Sequence, residues 1–94
     1  MSINHTLQKI SKSTILASPS LSGVYTYWNI HKKPVYVGKA INLKNRLNSY
    51  LSVTLEPKTK KLMEEAIYFS TTLVGTELEA LLLEAKLINK YKPK

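Results

Sequence analysis

The sequence predicts a single α+β domain in which a small antiparallel sheet is flanked by helices. A length of 94 residues is that of one domain, and 44% apolar residues are enough for one core. Two short runs rich in β-forming residues, at 23–28 and 34–38, are separated by a polar turn and predict a β-hairpin. Segments with helical spacing and helix-capping residues surround this hairpin, so helices and strands are mixed along the chain.

The first predicted element is a short N-terminal helix. Ile3, Leu7 and Ile10 recur at helical spacing, which predicts a helix over residues 3–11. In the hairpin that follows, Pro34 stands at the first position of the second strand, where the missing N–H matters least. We expect that second strand to end at Gly38.

The register of the hairpin is predicted from matching apolar side chains. Because residues two apart in a strand share a face, we expect Val35 and Val37 on one face, with Tyr36 on the other. Pairing Val24 with Val37 joins the apolar sets and places Tyr25 directly opposite Tyr36. The prediction is a valine face against the core and an opposite face on which two phenols stand side by side.

Capping residues and prolines mark the elements after the hairpin. In chain order they are a helix from its cap at Asn42 to about Leu51, a helix over 58–65 opened by Pro57, a strand over 66–72, and a helix from a capping box at Thr76 and Glu79 to about Tyr91, before Pro93.

The basic charge is concentrated in the middle of the chain. The net charge is +8, and residues 30–61 carry eight basic residues and one acidic residue. A localised basic patch favours a polyanionic partner such as nucleic acid, although a solvated lysine-rich surface has the same composition. Arg46 is the only arginine, which hints at a need for a planar bidentate donor. The residues that we expect to contact DNA are Lys39, Lys44, Arg46, Lys58, Lys60 and Lys61.

Composition excludes several kinds of site. The chain has no cysteine and no aspartate, and its only histidines are His5 and His31. Disulfides, thiolate metal sites and a multi-histidine zinc site are therefore excluded. Neither a long apolar run nor a signal-peptide pattern is present, so we expect a cytoplasmic location.

A candidate phosphodiester site lies around the end of the second strand. Tyr36, Lys39 and Arg46 could converge at one mouth, where a phenol, an ammonium and a guanidinium would suit a phosphodiester. Glu84 stands in an apolar stretch of the last helix with no cation three or four residues away. It either binds a cation or marks a solvated strip. A single carboxylate suits magnesium or manganese better than zinc or calcium.

These residues carry a resemblance to a known family. Gly23-Val24-Tyr25 and Tyr36-Val37-Gly38 resemble the paired motif that names the GIY-YIG nucleases. The match over about residues 15–94 resembles the N-terminal nuclease domain of UvrC. It includes Gly38-Lys39-Ala40, the segment from Asn42 to Leu47, Tyr50-Leu51 and the segment from Glu77 to Glu84.

The resemblance implies a fold, an activity and a set of partners. The fold is a three-stranded antiparallel sheet flanked by helices. The activity is a DNA endonuclease, dependent on one divalent metal (Mg or Mn), that makes the 3′ incision beside a lesion in bacterial nucleotide excision repair. The partners are DNA and UvrB, with UvrA upstream, the proteins being contacted through regions outside this chain.

The resemblance also assigns site residues, position by position. Tyr25 and Tyr36 are the motif phenols, and which of them is the general base stays open. Lys39 would tune a phenol or touch phosphate, Arg46 would hold a phosphate, and Tyr50 would line the site. Glu84 would bind the metal.

Two departures from the family and several alternatives remain. The family usually has proline where this chain has Ser22, and it continues past Lys94 into a segment with an active-site asparagine. We expect residues 1–94 to be a single nuclease domain excised from a longer chain, the alternative being a reduced homologue. Other functions are a GIY-YIG nuclease of a Cho-like, mobile-element or restriction system, and a non-catalytic DNA-binding module.

Overall fold

A computed structural model describes residues 6–93, and it has the predicted α+β architecture. Its elements are β1 (Gln8–Lys9), α1 (Lys12–Leu16), β2 (Gly23–Trp28), β3 (Pro34–Ala40), α2 (Leu43–Ser49), α3 (Pro57–Glu65), β4 (Tyr68–Leu73) and α4 (Glu77–Tyr91). No helix within this span is long and apolar enough to cross a membrane.

The sheet has four antiparallel strands in the described residues, in the order β1-β4-β2-β3, rather than the three expected. The additional strand is β1, in which Gln8 pairs with Phe69 and Lys9 with Tyr68. The helix expected over residues 3–11 is therefore wrong at Gln8–Lys9, and its first residues lie outside the described part. The free edge of β4 accepts this short segment because backbone pairing there competes successfully with a weak helical pattern.

The helix that does form near the N-terminus begins later, after Ser11. The Ser11 hydroxyl accepts a hydrogen bond from the Thr14 N–H at 3.2 Å, and the Ser11 N–H donates to the Thr14 hydroxyl at 3.1 Å. This reciprocal capping box fixes the start of α1 at Lys12. Ile15, on this helix, is fully buried in the core.

The observed register of the hairpin differs from the predicted one. Tyr25 pairs with Gly38 and Tyr27 with Tyr36, so Tyr25 and Tyr36 are not directly opposite each other. The observed ladder is shifted by two residues from the predicted one, with Val24 opposite Lys39 and Thr26 opposite Val37. Because strand side chains alternate with a period of two, this shift keeps Val24 and Val37 on one face, so matching apolar faces does not distinguish the two registers.

A bulge explains why Val35 does not share a face with Val37. The register shifts between Tyr27 and Trp28, whose partners are Tyr36 and Pro34, so Val35 has no partner in the ladder. An extra residue re-aims side chains locally. Val35 accordingly joins the core cluster that contains Tyr27. The second strand also continues beyond Gly38 to Ala40, which places Lys39 within β3.

The two faces of the sheet carry two core clusters. On one face Val24 and Val37 pack against α4 through Ala80, Leu83 and Leu87. The other face holds the tyrosines, packed against the helices on that side. The buried residues of this second cluster are Ile15, Tyr25, Tyr27, Val35, Leu43, Leu47, Tyr50, Ala66 and Phe69. A sheet covered on both faces lets polar side chains be buried near its centre.

The predicted caps of the later helices are confirmed. The Asn42 side chain accepts from the Asn45 N–H at 3.0 Å, and α2 ends at Ser49, short of the expected Leu51. Pro57 opens α3. The Thr76 hydroxyl accepts from the Glu79 N–H at 3.1 Å and caps α4, but the Glu79 carboxylate accepts from the Thr76 hydroxyl at 3.4 Å rather than from the Thr76 N–H, so the N-cap is present and the reciprocal half of the predicted capping box is not.

Gly23 is required by packing, and its replacement is expected to destabilise the domain. A Cβ on Gly23 would lie 2.5 Å from the backbone carbonyl oxygen of Thr72 and 2.6 Å from Leu43 Cδ1. Because the backbone of β4 cannot move away, we expect Gly23→Ala to lower the free energy of unfolding by about 2–3 kcal/mol, measured by urea denaturation.

The matched control for this prediction is Gly75→Ala. A Cβ there would meet only the flexible Glu79 carboxylate, at 3.2 Å. We expect the free energy of unfolding to change by less than about 1 kcal/mol. Alanine lowers the conformational entropy of the unfolded chain, and this gain offsets the close contact. Equal losses in the two variants would show that the close approach at Gly23 is not what constrains this position.

Candidate active site

The centre of the candidate site is a hydrogen-bonded cluster around the Tyr25 hydroxyl. The Tyr25 and Tyr50 hydroxyls are 2.7 Å apart, and Arg46 Nε donates to the Tyr25 oxygen at 3.2 Å. The Arg46 guanidinium carbon also lies 5.0 Å from the centre of the Tyr50 ring, a cation–π distance. Three residues assigned by the motif are therefore in direct contact.

Secondary structure brings these three side chains together. Tyr25 lies on the central strand β2, while Arg46 and Tyr50 are one helical turn apart at the end of α2. Leu43 and Leu47 on the same helix are fully buried and fix its orientation against the sheet. Asn42, two residues after the end of β3, caps α2 and so sets where this helix begins.

Gly38 makes room for the Tyr25 phenol. The two residues are opposite each other in the ladder, and a Cβ on Gly38 would lie 2.5 Å from both Cζ and the hydroxyl of Tyr25. The phenol ring of Tyr25 therefore lies directly over Gly38, where a side chain would occupy the same space. This contact explains the glycine of the second motif segment.

Burial keeps the Tyr25 phenol neutral. Tyr25 is 1% exposed, and burial, followed by its hydrogen bond with Tyr50, raises the pKa of its hydroxyl far above 10. The Arg46 guanidinium lowers this pKa but does not cancel the effect of burial. Tyr25 is thus a fixed, uncharged hydrogen-bonding group near neutral pH.

Tyr36 is the more accessible motif phenol. Its side chain is half-buried, and its ring centre is 6.1 Å from that of Tyr25. Burial is the main reason that the pKa of Tyr36 is raised, with a smaller contribution from the negative charge of Glu84. The Tyr50 hydroxyl raises this pKa as well, whereas the positive charge of Arg46 lowers it.

Arg46 is the residue that two neighbouring cavities share. Cavity A, of about 540 Å³, has walls formed by Ser22, Lys39, Ala40, Ile41, Asn42, Asn45, Arg46, Ser49, Glu77 and Ala80. Cavity B, of about 440 Å³, is bounded by Val35, Tyr36, Arg46, Tyr50, Lys58, Thr59, Lys61, Leu62 and Glu65. The predicted single mouth is therefore divided, with Lys39 in cavity A and Tyr36 in cavity B.

Glu84 is partly buried in the middle of α4. It lies seven positions after Glu77 of cavity A, which is about two helical turns, so the two residues are on one side of the helix about 10 Å apart along its axis. The described residues contain no group of three His, Cys, Asp or Glu side chains that could hold a metal. A lone carboxylate fits a magnesium-type ion, which keeps most of its waters.

The predicted DNA-binding lysines are distributed unevenly around this site. Lys58 and Lys61 line cavity B, and Lys39 lines cavity A. Lys60 is exposed on α3 and Lys44 is half-buried on α2, and neither of them lines cavity A or cavity B. Their contacts with DNA stay predictions.

Sequence reasoning missed several residues of cavity A. No role is predicted from the sequence for Glu77, Ile41 or Asn45, although all three line this cavity. The available signal was their position: Ile41 follows the motif strand, and Asn45 precedes Arg46. Because the path of α4 across the end of β3 is a tertiary feature, local sequence did not indicate Glu77.

Tyr25 and Tyr27, two buried tyrosines of β2, provide a matched test of the hydrogen bonds around the Tyr25 hydroxyl. Tyr25→Phe removes both bonds and leaves the buried Tyr50 hydroxyl without this partner, so we expect the free energy of unfolding to fall by about 1–2 kcal/mol. Tyr27 is equally buried, but its hydroxyl has no hydrogen-bond partner among the described residues. Tyr27→Phe should therefore be neutral or stabilising by about 1 kcal/mol. Urea denaturation of both variants decides, and a larger loss in Tyr27→Phe would contradict the assigned bonding.

Three comparisons relate the chain to known proteins. A family model described as the UvrC-like GIY-YIG domain matches residues 21–94. The UvrABC system protein C of Rickettsia rickettsii (strain Sheila Smith) is 39% identical over 94 residues, which is 100% of this chain and 15% of that protein. The corresponding protein of Rickettsia felis is 38% identical, again over 15% of its length. The chain thus spans about 15% of the length of these curated relatives.

Solved structures match the fold at similar levels of identity. The GIY-YIG N-terminal endonuclease domain of UvrC from Thermotoga maritima, bound to its catalytic divalent cation, magnesium, is 46% identical with a TM-score of 0.78. The match covers 88% of this chain and 91% of that one. A point mutant of the same domain, also bound to the catalytic divalent cation, has 43% identity and a TM-score of 0.79. Because sequence, family model and fold agree over nearly the whole chain, it belongs to the UvrC-like GIY-YIG domain family.

Proposed function

We propose that this domain is a metal-dependent DNA endonuclease that hydrolyses a phosphodiester, and that it makes the 3′ incision beside a lesion in nucleotide excision repair. The observation that carries the proposal is the state of Arg46. Its Nε is held by the buried Tyr25 hydroxyl, and this is the only hydrogen bond that the described residues give to the guanidinium. The two terminal nitrogens are thereby oriented and available for a phosphate oxygen pair.

The second step concerns the activation of water. Tyr25 is fully buried and bonded on both sides, so it positions Arg46 rather than accepting a proton. Tyr36 is half-buried beside Arg46 in cavity B, where a water can reach its hydroxyl. Tyr36 is therefore the phenol that we assign as general base, with nearby positive charge needed to offset the rise in its pKa caused by burial.

Lys39 and Glu84 complete the proposed site. Lys39, exposed on β3 at the wall of cavity A, is placed to neutralise phosphate charge next to Arg46. Glu84 would hold a single divalent cation, magnesium or manganese, through one carboxylate. When bound, such a cation stabilises charge that develops on the phosphate and lowers the pKa of water.

The biological setting of the proposal follows the relatives. We place residues 1–94 as one nuclease domain of a longer UvrC-like protein in the bacterial cytoplasm. That protein would act with UvrB, after UvrA, through regions outside this chain. Binding of DNA by the domain itself is supported by the excess of basic residues over 30–61.

The metal ligand is tested by nicking of supercoiled plasmid in manganese. Glu84→Gln removes the charge with little change of shape, so we expect the nicking rate to fall about 100-fold or more. Glu64→Gln, which changes an exposed carboxylate on α3, should keep the wild-type rate. Equal nicking by wild type and Glu84→Gln would remove Glu84 from the site, and DNA binding without any nicking would favour a non-catalytic module.

The role of Arg46 is tested by Arg46→Lys. Lysine keeps the charge but cannot donate to Tyr25 and present two further donors to phosphate at the same time. We expect nicking to fall about 100-fold while DNA affinity falls less than about tenfold. Lys33→Ala, in the exposed turn of the hairpin, is the control for loss of a charge away from the cavities. Equal losses of nicking and affinity in Arg46→Lys would reduce this residue to a simple anchor for DNA.

A further inference from the structure

We propose that cavity A binds one unstacked nucleobase next to the phosphate held by Arg46, and that Ile41 acts as an apolar wedge at its rim. This inference rests on the proposed action on DNA and specifies how the strand lies in the site. It assigns a base-binding role to residues that the motif does not include.

The two cavities on either side of Arg46 differ in their chemistry. Apart from Arg46, which both cavities share, cavity B contains two lysines, Lys58 and Lys61, and one carboxylate, Glu65, so it keeps an excess of positive charge for the phosphates of a strand that passes over α3. Cavity A contains one lysine, Lys39, and one carboxylate, Glu77, whose charges offset each other, so it offers less attraction for a phosphate beyond the one at Arg46. A strand that crosses Arg46 therefore places its backbone on the cavity B side and a base in cavity A.

The lining of cavity A offers both apolar surface and polar groups for a base. Ala40, Ile41 and Ala80 provide apolar surface for the faces of a planar ring. The Asn45 amide and the Glu77 carboxylate provide donors and an acceptor for its edge. A volume of about 540 Å³ lies within the range of small-ligand sites.

Some polar side chains of cavity A are already hydrogen-bonded within the protein, and the others stay available for a ligand. The Asn42 carbonyl oxygen caps α2, and the Ser49 hydroxyl donates to the Arg46 carbonyl at 2.6 Å. The Asn45 side chain makes no hydrogen bond with the described residues. Asn45 and Glu77 are therefore the groups that would read the base edge.

Ile41 is an exposed apolar side chain on a rigid backbone. It is 75% exposed, although it stands between β3 and the helix cap. The Ser22 hydroxyl donates to the Ile41 carbonyl at 3.0 Å, which fixes the peptide from the side of β2. A β-branched side chain is also stiff at χ1. Rigid apolar side chains beside phosphate-binding groups are the wedges that proteins insert between base steps.

The experiment measures base unstacking directly, without depending on cleavage. A short duplex carries the fluorescent base 2-aminopurine at several positions of one strand, and binding is measured at saturating protein in EDTA. Because an unstacked 2-aminopurine is less quenched, we expect wild-type protein to raise its fluorescence about threefold.

Two exposed isoleucines at opposite ends of the hairpin provide the comparison. Ile41→Ala shortens the apolar side chain that follows β3, and we expect less than about half of the wild-type rise in 2-aminopurine fluorescence. Ile30→Ala removes a comparably exposed isoleucine, 59% exposed, at the opposite, turn end of the hairpin, and it should match wild type. Asn45→Ala and Glu77→Ala should also reduce the rise, since they remove polar groups for the base edge.

The outcomes separate this inference from the proposed function. No fluorescence rise with wild type at saturation, or equal rises for Ile41→Ala and wild type, would overturn the base-binding cavity. Nicking of plasmid by the same wild-type protein would then leave the nuclease proposal intact. A rise that depends on Ile41 without any nicking supports the cavity and counts against the nuclease.

Discussion

The site depends on one buried phenol, that of Tyr25, placed at the centre of the sheet. Its hydroxyl joins Tyr50 at 2.7 Å and receives the Arg46 Nε–H at 3.2 Å. Burying a hydroxyl without partners costs about 1–3 kcal/mol, and these bonds offset that cost for Tyr25. The bond from Nε also orients the only arginine of the chain. The contact that stabilises the buried phenol is therefore the contact that orients the phosphate-binding group.

This arrangement places demands on the rest of the structure. Tyr25 needs Gly38 opposite it, since any side chain there would meet the ring. It also needs α2 to start where Asn42 caps it, so that Arg46 and Tyr50 reach the same hydroxyl. The opposite face of the sheet must be covered as well, and α4 provides this cover while it brings Glu77 to the wall of cavity A. A small domain can bury such a polar cluster only because both faces of its central strand are packed.

Much of this site was predictable from sequence, because its parts are local. The caps at Asn42 and Thr76, the proline at the start of α3 and the aromatic pairing segments each depend on a few adjacent residues. The convergence of Tyr25, Arg46 and Tyr50 followed from the family motif. The short β1 strand could not be predicted in this way. Its pairing with β4 is a backbone contact between distant segments, and the side chains of Gln8 and Lys9 give no local indication of it.

The error in the hairpin register has a more specific cause, and it bears on function. Matching Val24 with Val37 puts both valines on the correct face, but a shift of two residues keeps that face, so the apolar pattern does not distinguish the two registers. The steric need to place Gly38, rather than Tyr36, opposite Tyr25 does distinguish them. The bulge at Val35, near the start of β3, brings that valine into the core cluster of the tyrosine face. The geometry of the site, and not the pattern of valines, is what fixes the pairing of the two strands.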